Sequence, residues 1–159
     1  MPDVIIIMGS KSDRSHVAEI AKGLERFGLS YAIRVASAHK SPAYLLQMLQ
    51  DYEEALQSPH VYITIAGRSN ALSGMVDAAV VAPVIACPPY SDQFGGADVY
   101  SSLRMPSGVA PALVLEPGGA ALLAAKILGR REQVRALQIE QTNQLIQDDQ
   151  DIKDSDVNP

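Results

Sequence analysis

Tryptophan is absent from these 159 residues, aromatic side chains make up 5% of them, and cysteine occurs once, as Cys87. A lone cysteine excludes an intrachain disulfide and any multi-cysteine zinc site, and it fits a reducing compartment. Three dispersed histidines (His16, His39, His60) do not supply a metal site either, so no metal is expected. Basic residues are outnumbered, 13 against 18, for a net charge of −5. Nucleic acid and anionic membrane are therefore not expected as partners, and any phosphate site must gather positive charge locally. No apolar run is long enough to span a bilayer, and the N-terminus enters a strand at once without a signal peptide, so a cytoplasmic protein is expected. The phosphate-loop pattern G-x-x-x-x-G-K-[ST] is missing as well.

What is present is 47% hydrophobic residues, enough for an aliphatic core in one domain that buries roughly 68–70% of its unfolded surface. Apolar runs alternate with helix-period runs, the pattern of a parallel sheet covered on both faces. Strands are expected at Val4–Met8, Tyr31–Val35, Val61–Ala66, Val84–Ala86 and about Ala112–Leu115. Helix 1 carries Val17, Ile20, Ala21, Leu24 and Phe27 on one stripe and stops at Gly28. Helix 2 starts at Ser41-Pro42 and shows Leu45, Met48, Leu49, Tyr52 and Leu56 at helical spacing. Further helices are expected over Leu72–Ala79, Ala97–Leu103 and Ala120–Leu128. The fold class is α/β: a flavodoxin-like three-layer α/β/α sandwich with a five-stranded parallel sheet in the order 2-1-3-4-5. Residues 1–130 form the single domain. Residues 131–148 form an extra polar helix with a thin stripe (Val134, Leu137, Leu145), suited to a neighbouring subunit, and 149–159 are expected to be a disordered polar tail.

In such sheets ligands bind beyond the carboxyl ends of the strands, where the strand order reverses. Four polar loops share that edge. Gly9-Ser10-Lys11-Ser12-Asp13 combines close backbone approach, hydroxyls and a helix start, a cradle for an anion, although Ser and Asp there are also ordinary caps. Asp13 would repel phosphate and is assigned to a ribose hydroxyl or an amine. Ser37-Ala38-His39-Lys40 places an imidazole, the side chain whose unperturbed pKa of ~6.5 lets it give and take a proton near neutrality, beside a cation. Gly67-Arg68-Ser69-Asn70-Ala71 sets an arginine directly after a buried strand, where it can hold an anion by two parallel hydrogen bonds. Asp92 and Arg104 are secondary candidates. His16 is expected to face solvent, His60 to lie in a turn, and Cys87 to be a packed residue rather than a nucleophile.

Taken together, Gly9-Ser-Lys-Ser-Asp13, Ser37-Ala-His-Lys40, Ala66-Gly-Arg-Ser-Asn-Ala-Leu-Ser-Gly74, Cys87-Pro-Pro89 and Ser101-Ser-Leu-Arg-Met-Pro-Ser-Gly108 resemble the phosphoribosylaminoimidazole carboxylase family of purine biosynthesis. The likeness runs in order through about Gly129. It implies a flavodoxin-like fold, a homo-tetramer or homo-octamer, and one of two reactions. One branch moves a carboxylate from N-carboxyaminoimidazole ribonucleotide onto the ring carbon; the other adds carbon dioxide directly to aminoimidazole ribonucleotide. The mutase branch reads Ser-Ala-His-Arg and Ala-Gly-Gly-Ala-Ala-His where this chain has Lys40 and Arg68-Ser69-Asn70-Ala71. Both departures, with Cys87-Pro88-Pro89, are similar to the direct carboxylase. The resemblance then implies His39 as the proton-transfer residue. Gly9, Ser10, Ser12, Asp13, Ser37, Ala38, Lys40, Gly67, Arg68, Ser69, Asn70 and Ala71 would bind the substrate, and no metal, biotin or ATP is needed. Two rivals share the fold. A flavin carrier lacks its ring sandwich here, and a receiver domain lacks its acids, since Met8-Gly9 and Ala66-Gly67 stand where those would be.

Overall fold

A computed structural model describes residues 1–55 and 57–155. Five parallel strands, β1 (Val4–Met8), β2 (Tyr31–Val35), β3 (Val61–Ile65), β4 (Val84–Ala86) and β5 (Ala112–Leu113), form one sheet in the order β2-β1-β3-β4-β5. Val4 pairs with Tyr31 on one side and Val61 on the other, and Met8 with Val35 and Ile65. Among the described residues six α-helices accompany the sheet: α1 (Arg14–Arg26), α2 (Pro42–Ala55), α3 (Ala71–Ala79), α4 (Tyr100–Leu103), α5 (Pro117–Ile127) and α6 (Arg131–Ser155).

Period-2 alternation sends β1 side chains into two cores. Val4, Ile6 and Met8 join Ile20, Leu24 and the alanines of α5 on one face; Ile5 and Ile7 join Leu45, Leu49, Tyr62 and Val76 on the other. Every residue of β1 and β3 is buried, as central strands of a two-sided sheet require. The α1 stripe is buried as expected. Gly28, at φ +64, ends the helix in a Schellman turn, with Leu29 N–H donating to Leu24 O and Gly28 N–H to Glu25 O. Of the α2 stripe, Leu45, Met48 and Leu49 are buried and Leu56 lies outside the described residues.

Several boundaries differ from expectation. β5 stops at Leu113 rather than Leu115, because β4 is followed by Pro88 and Pro89, which have no N–H to continue the ladder. The helix expected to open at Ala120 opens at Pro117, whose fixed φ suits the first helical position. The Ala97–Leu103 segment divides into a 3-10 stretch over Gln93–Val99 and the single turn of α4. Most notably, α6 continues through Ser155, where a polar tail was expected from Asp149. Side-chain bonds one turn apart, Gln144 to Asp148, Gln147 to Asp151 and Lys153 to Asp149, support it where apolar packing does not.

Candidate functional site

The carboxyl ends of β1, β2 and β3 open into a cavity of about 370 Å³, into which the first three βα loops converge. From the first loop come Gly9, Ser10, Ser12 and Asp13; from the second, Ser37, Ala38, His39 and Lys40; from the third, Ala66, Gly67, Arg68 and Ser69. Eleven of the thirteen expected site residues are therefore wall residues. Leu72 completes the lining.

Hydrogen bonds within each loop shape its wall. In the first, Ser10 Oγ accepts from Ser12 N–H (3.3 Å) and Ser12 Oγ (2.9 Å), which leaves the Ser10 hydroxyl hydrogen to offer to a ligand. A Cβ at Gly9 would meet Ile65 O at 3.6 Å, an ordinary contact, so what glycine preserves there is open space inside the cavity. Burial raises the Asp13 pKa above the usual carboxylate value, against the lowering effects of Ser12 and His16.

The second wall is a turn closed by two serines. Ser37 N–H donates to Ser41 Oγ (3.0 Å), Ser41 N–H to Ser37 O (2.9 Å), and Lys40 N–H to Ser37 Oγ (3.2 Å). Ser41 O accepts the first helical bond from Leu45, but its hydroxyl reaches back to Ser37 rather than forward into α2. That rung presents His39 and Lys40 side by side, both exposed, and neither side chain is hydrogen-bonded among the described residues.

The third wall carries strain. Arg68 sits at φ +58, the one left-handed non-glycine residue among those described. Such a conformation costs on the order of 1–3 kcal/mol and clusters at functional sites. The neighbouring Ser69 N–H closes on Gly67 O at 2.7 Å, turning Arg68 out beside the cavity.

Asn70 and Ala71 depart from expectation. Neither lines the cavity. Asn70 is 4% exposed, its Oδ1 capping α3 through Ser73 N–H (3.2 Å) and its Nδ2 donating to Ser102 Oγ (2.8 Å), so its amide is consumed by the fold. Asp92 and Arg104 are exposed and also outside the cavity. His60, expected in a turn, is buried between Ser58 O and the Glu53 carboxylate, both at 2.9 Å from its ring nitrogens. Cys87 is packed as expected; burial, with Glu116 nearby, pushes its thiol up to about 12.

His16 is the largest correction. It does not face solvent but is half-buried under the first wall, bonded to Cys87. The sequence signal for it, a histidine one turn into a helix that follows a candidate anion loop, is present but does not reveal a partner 71 residues away. Among the described residues no three His, Cys, Asp or Glu side chains are grouped as a metal ion would need. Among the described residues no helix is long and apolar enough to cross a membrane.

Comparison with known proteins bears on the family and the fold. The family model described as AIR carboxylase matches residues 3–149. A phosphoribosylaminoimidazole carboxylase of Treponema denticola is 54% identical over 157 residues, covering 96% of this chain and 98% of its own. One from Archaeoglobus fulgidus is 50% identical over 154 residues, covering 94% and 84%. The crystal structure of Treponema denticola PurE superimposes with a TM-score of 0.92 at 54% identity, covering 94% of this chain and 98% of that one. A bifunctional mouse carboxylase and succinocarboxamide synthetase is 42% identical over 126 residues, which cover 29% of its length. The chain belongs to the AIR carboxylase family.

Proposed function

We propose that this chain adds carbon dioxide directly to the ring carbon of aminoimidazole ribonucleotide, reversibly, giving carboxyaminoimidazole ribonucleotide. The observation that carries the reading is the meeting of His39, Lys40 and Arg68 with a hydroxyl-rich loop around one cavity at the sheet's carboxyl edge. A phosphorylated nucleotide needs both: cations and hydroxyls for the phosphate, and a base beside the reacting carbon. The family assignment supplies the substrate class. Lys40 and Arg68-Ser69-Asn70-Ala71, where the mutase branch carries arginine and a second histidine, support the direct carboxylase branch.

In this mechanism Ser10, Ser12, Ser37, Lys40 and Arg68 hold the phosphate, and Asp13 accepts from the ribose. Gly9, Ala38 and Gly67 leave the room the nucleotide occupies. The substrate's amino group pushes electron density onto the adjacent ring carbon, which attacks carbon dioxide beside Ala66 and Ser69. A carbon–carbon bond forms, and the former C=O π pair moves to oxygen as carboxylate. The ring carbon is now tetrahedral, bearing its original hydrogen and the new carboxylate. His39 takes that proton, the C–H pair restores the aromatic ring, and the proton passes to solvent. Positioned proton transfer of this kind contributes ~10²–10⁴-fold. The substrate activates itself, so the reaction calls on no metal, biotin or ATP.

We further infer a cytoplasmic homo-oligomer, a tetramer or octamer. In support, α6 exposes Ile139, Leu145, Ile146 and Ile152, apolar surface that a single copy leaves in water. The deciding assay supplies either aminoimidazole ribonucleotide with bicarbonate or the N-carboxylated nucleotide, without ATP. Product from the first is expected; product from the second alone would assign the mutase reaction instead.

A further inference from the structure

His16 is outside the cavity lining, and nothing in the mechanism above uses it. It lies in the first turn of α1, with the serine-rich loop on one side and the end of β4 on the other. Its Nε2 is 3.1 Å from the carbonyl oxygen of Cys87 and 3.4 Å from Cys87 Sγ. A carbonyl oxygen only accepts, so Nε2 carries the hydrogen and the neutral ring is the Nε2–H tautomer. Cys87 Sγ lies 3.8 Å from Leu115 O, its acceptor, and Cys87 N–H donates to Thr64 O at 2.9 Å. One imidazole therefore ties α1 to β4, and through the thiol to the segment leading into α5.

Cavity walls stand at both ends of this tie. Asp13 is one helical turn before His16 and interacts with its charge. Two residues beyond Cys87, Pro89 packs on Gly67, where an added Cβ would lie 3.4 Å from Pro89 Cγ. Gly67 leads directly into the strained Arg68. We infer that His16 is a positioning residue, whose hydrogen bond to Cys87 holds the serine-rich wall and the Arg68 wall at the spacing a phosphorylated nucleotide requires. Burial holds its pKa below the usual imidazole value, against Cys87 O, Asp13 and Glu116, which raise it, and this favours the neutral donor.

This inference rests on the cavity being the nucleotide site, so the test reads turnover and anion binding separately. His16→Leu, His16→Asn and His16→Gln are compared with the whole wild-type protein. Initial rates with aminoimidazole ribonucleotide are measured alongside calorimetric titration of inorganic phosphate. His16→Leu is expected to stay folded by circular dichroism and to lose about 10²-fold in kcat/KM, the scale of a one-ångström misplacement, with weaker phosphate binding. His16→Gln, whose amide can still donate to Cys87 O, is expected to restore most of both. If the leucine variant fails to fold, His16→Asn, too short for that bond, takes its place in the comparison. Wild-type values in the leucine variant, or a glutamine variant no better than leucine or asparagine, would overturn the inference. Phosphate binding that weakens and recovers in this order, in a protein with no carboxylation, would retain the positioning role and reject the proposed reaction.

Discussion

Removing the amide of Asn70 separates a cap from a ligand contact. Asn70→Ala deletes the bond from Ser73 N–H to Oδ1 and the bond from Nδ2 to Ser102 Oγ, both at a site 4% exposed. A lost helix cap costs about 1 kcal/mol. Ser102, 6% exposed, then keeps a buried hydroxyl without this partner, a further cost of about 1–3 kcal/mol. The sum, about 2–4 kcal/mol, corresponds to a fall in melting temperature of roughly 5–15 °C for a chain of this size. Asn70→Asp should recover most of the loss, because a carboxylate still caps α3 and the Ser102 hydroxyl can rotate to donate to it. Thermal unfolding by circular dichroism provides the stability reading, and KM well below the transition gives the functional one. A rise in KM of tenfold or more with an unchanged melting temperature would refute this account and return Asn70 to the substrate.

Other perturbations address different links. Lys40→Ala should weaken binding of aminoimidazole ribonucleotide by about tenfold, 1.4 kcal/mol, and leave the unphosphorylated nucleoside nearly unaffected; equal losses in a titration of both would remove Lys40 from the phosphate. Glu53 accepts from His60, Tyr62 and Val81 N–H, and although burial alone raises its pKa, these donors bring it below 4.5. Its contribution is therefore present above pH 4.5 and lost as pH falls through the folded-state value. Glu53→Gln should lower stability at pH 7 by about 1.5–3 kcal/mol and flatten the acid limb, read by urea unfolding across pH; an unchanged limb would contradict this. Gly23→Ala places a Cβ 2.7 Å from Ala121 Cβ where α1 meets α5. Overpacking of about 1–3 kcal/mol should outweigh a gain of about 1 kcal/mol in helix propensity, and a higher melting temperature would show that the two helices part freely.

Much of this architecture is legible in local chemistry. Periodicity assigns each segment to sheet or helix, and the parallel topology then brings polar loops from Gly9, Ser37 and Gly67 to one edge without knowledge of any contact. Legibility fails where a residue's role depends on a distant partner. Asn70 reads as a substrate-binding residue until Ser102, 32 residues away, is beside it and its carbonyl oxygen is seen to cap α3 at Ser73. His16 reads as a surface histidine until Cys87 arrives from β4. The length of α6 is hidden for another reason: its apolar stripe fades, and Gln–Asp bonds one turn apart are too weak individually, about 0.2–0.5 kcal/mol each, to stand out in sequence. Arg68 shows its place after a strand but not its left-handed backbone, which the Gly67–Ser69 closure imposes.

The central claim is that the His39 imidazole accepts the proton released when the ring carbon is carboxylated. His39→Asn tests it most directly, since the side chain is exposed and no described residue depends on it for a hydrogen bond. Calorimetry of aminoimidazole ribonucleotide binding, paired with rates of carboxyaminoimidazole ribonucleotide formation from bicarbonate, should show near-normal affinity and turnover reduced by ~10²–10⁴-fold. Turnover within a few-fold of wild type would contradict the account.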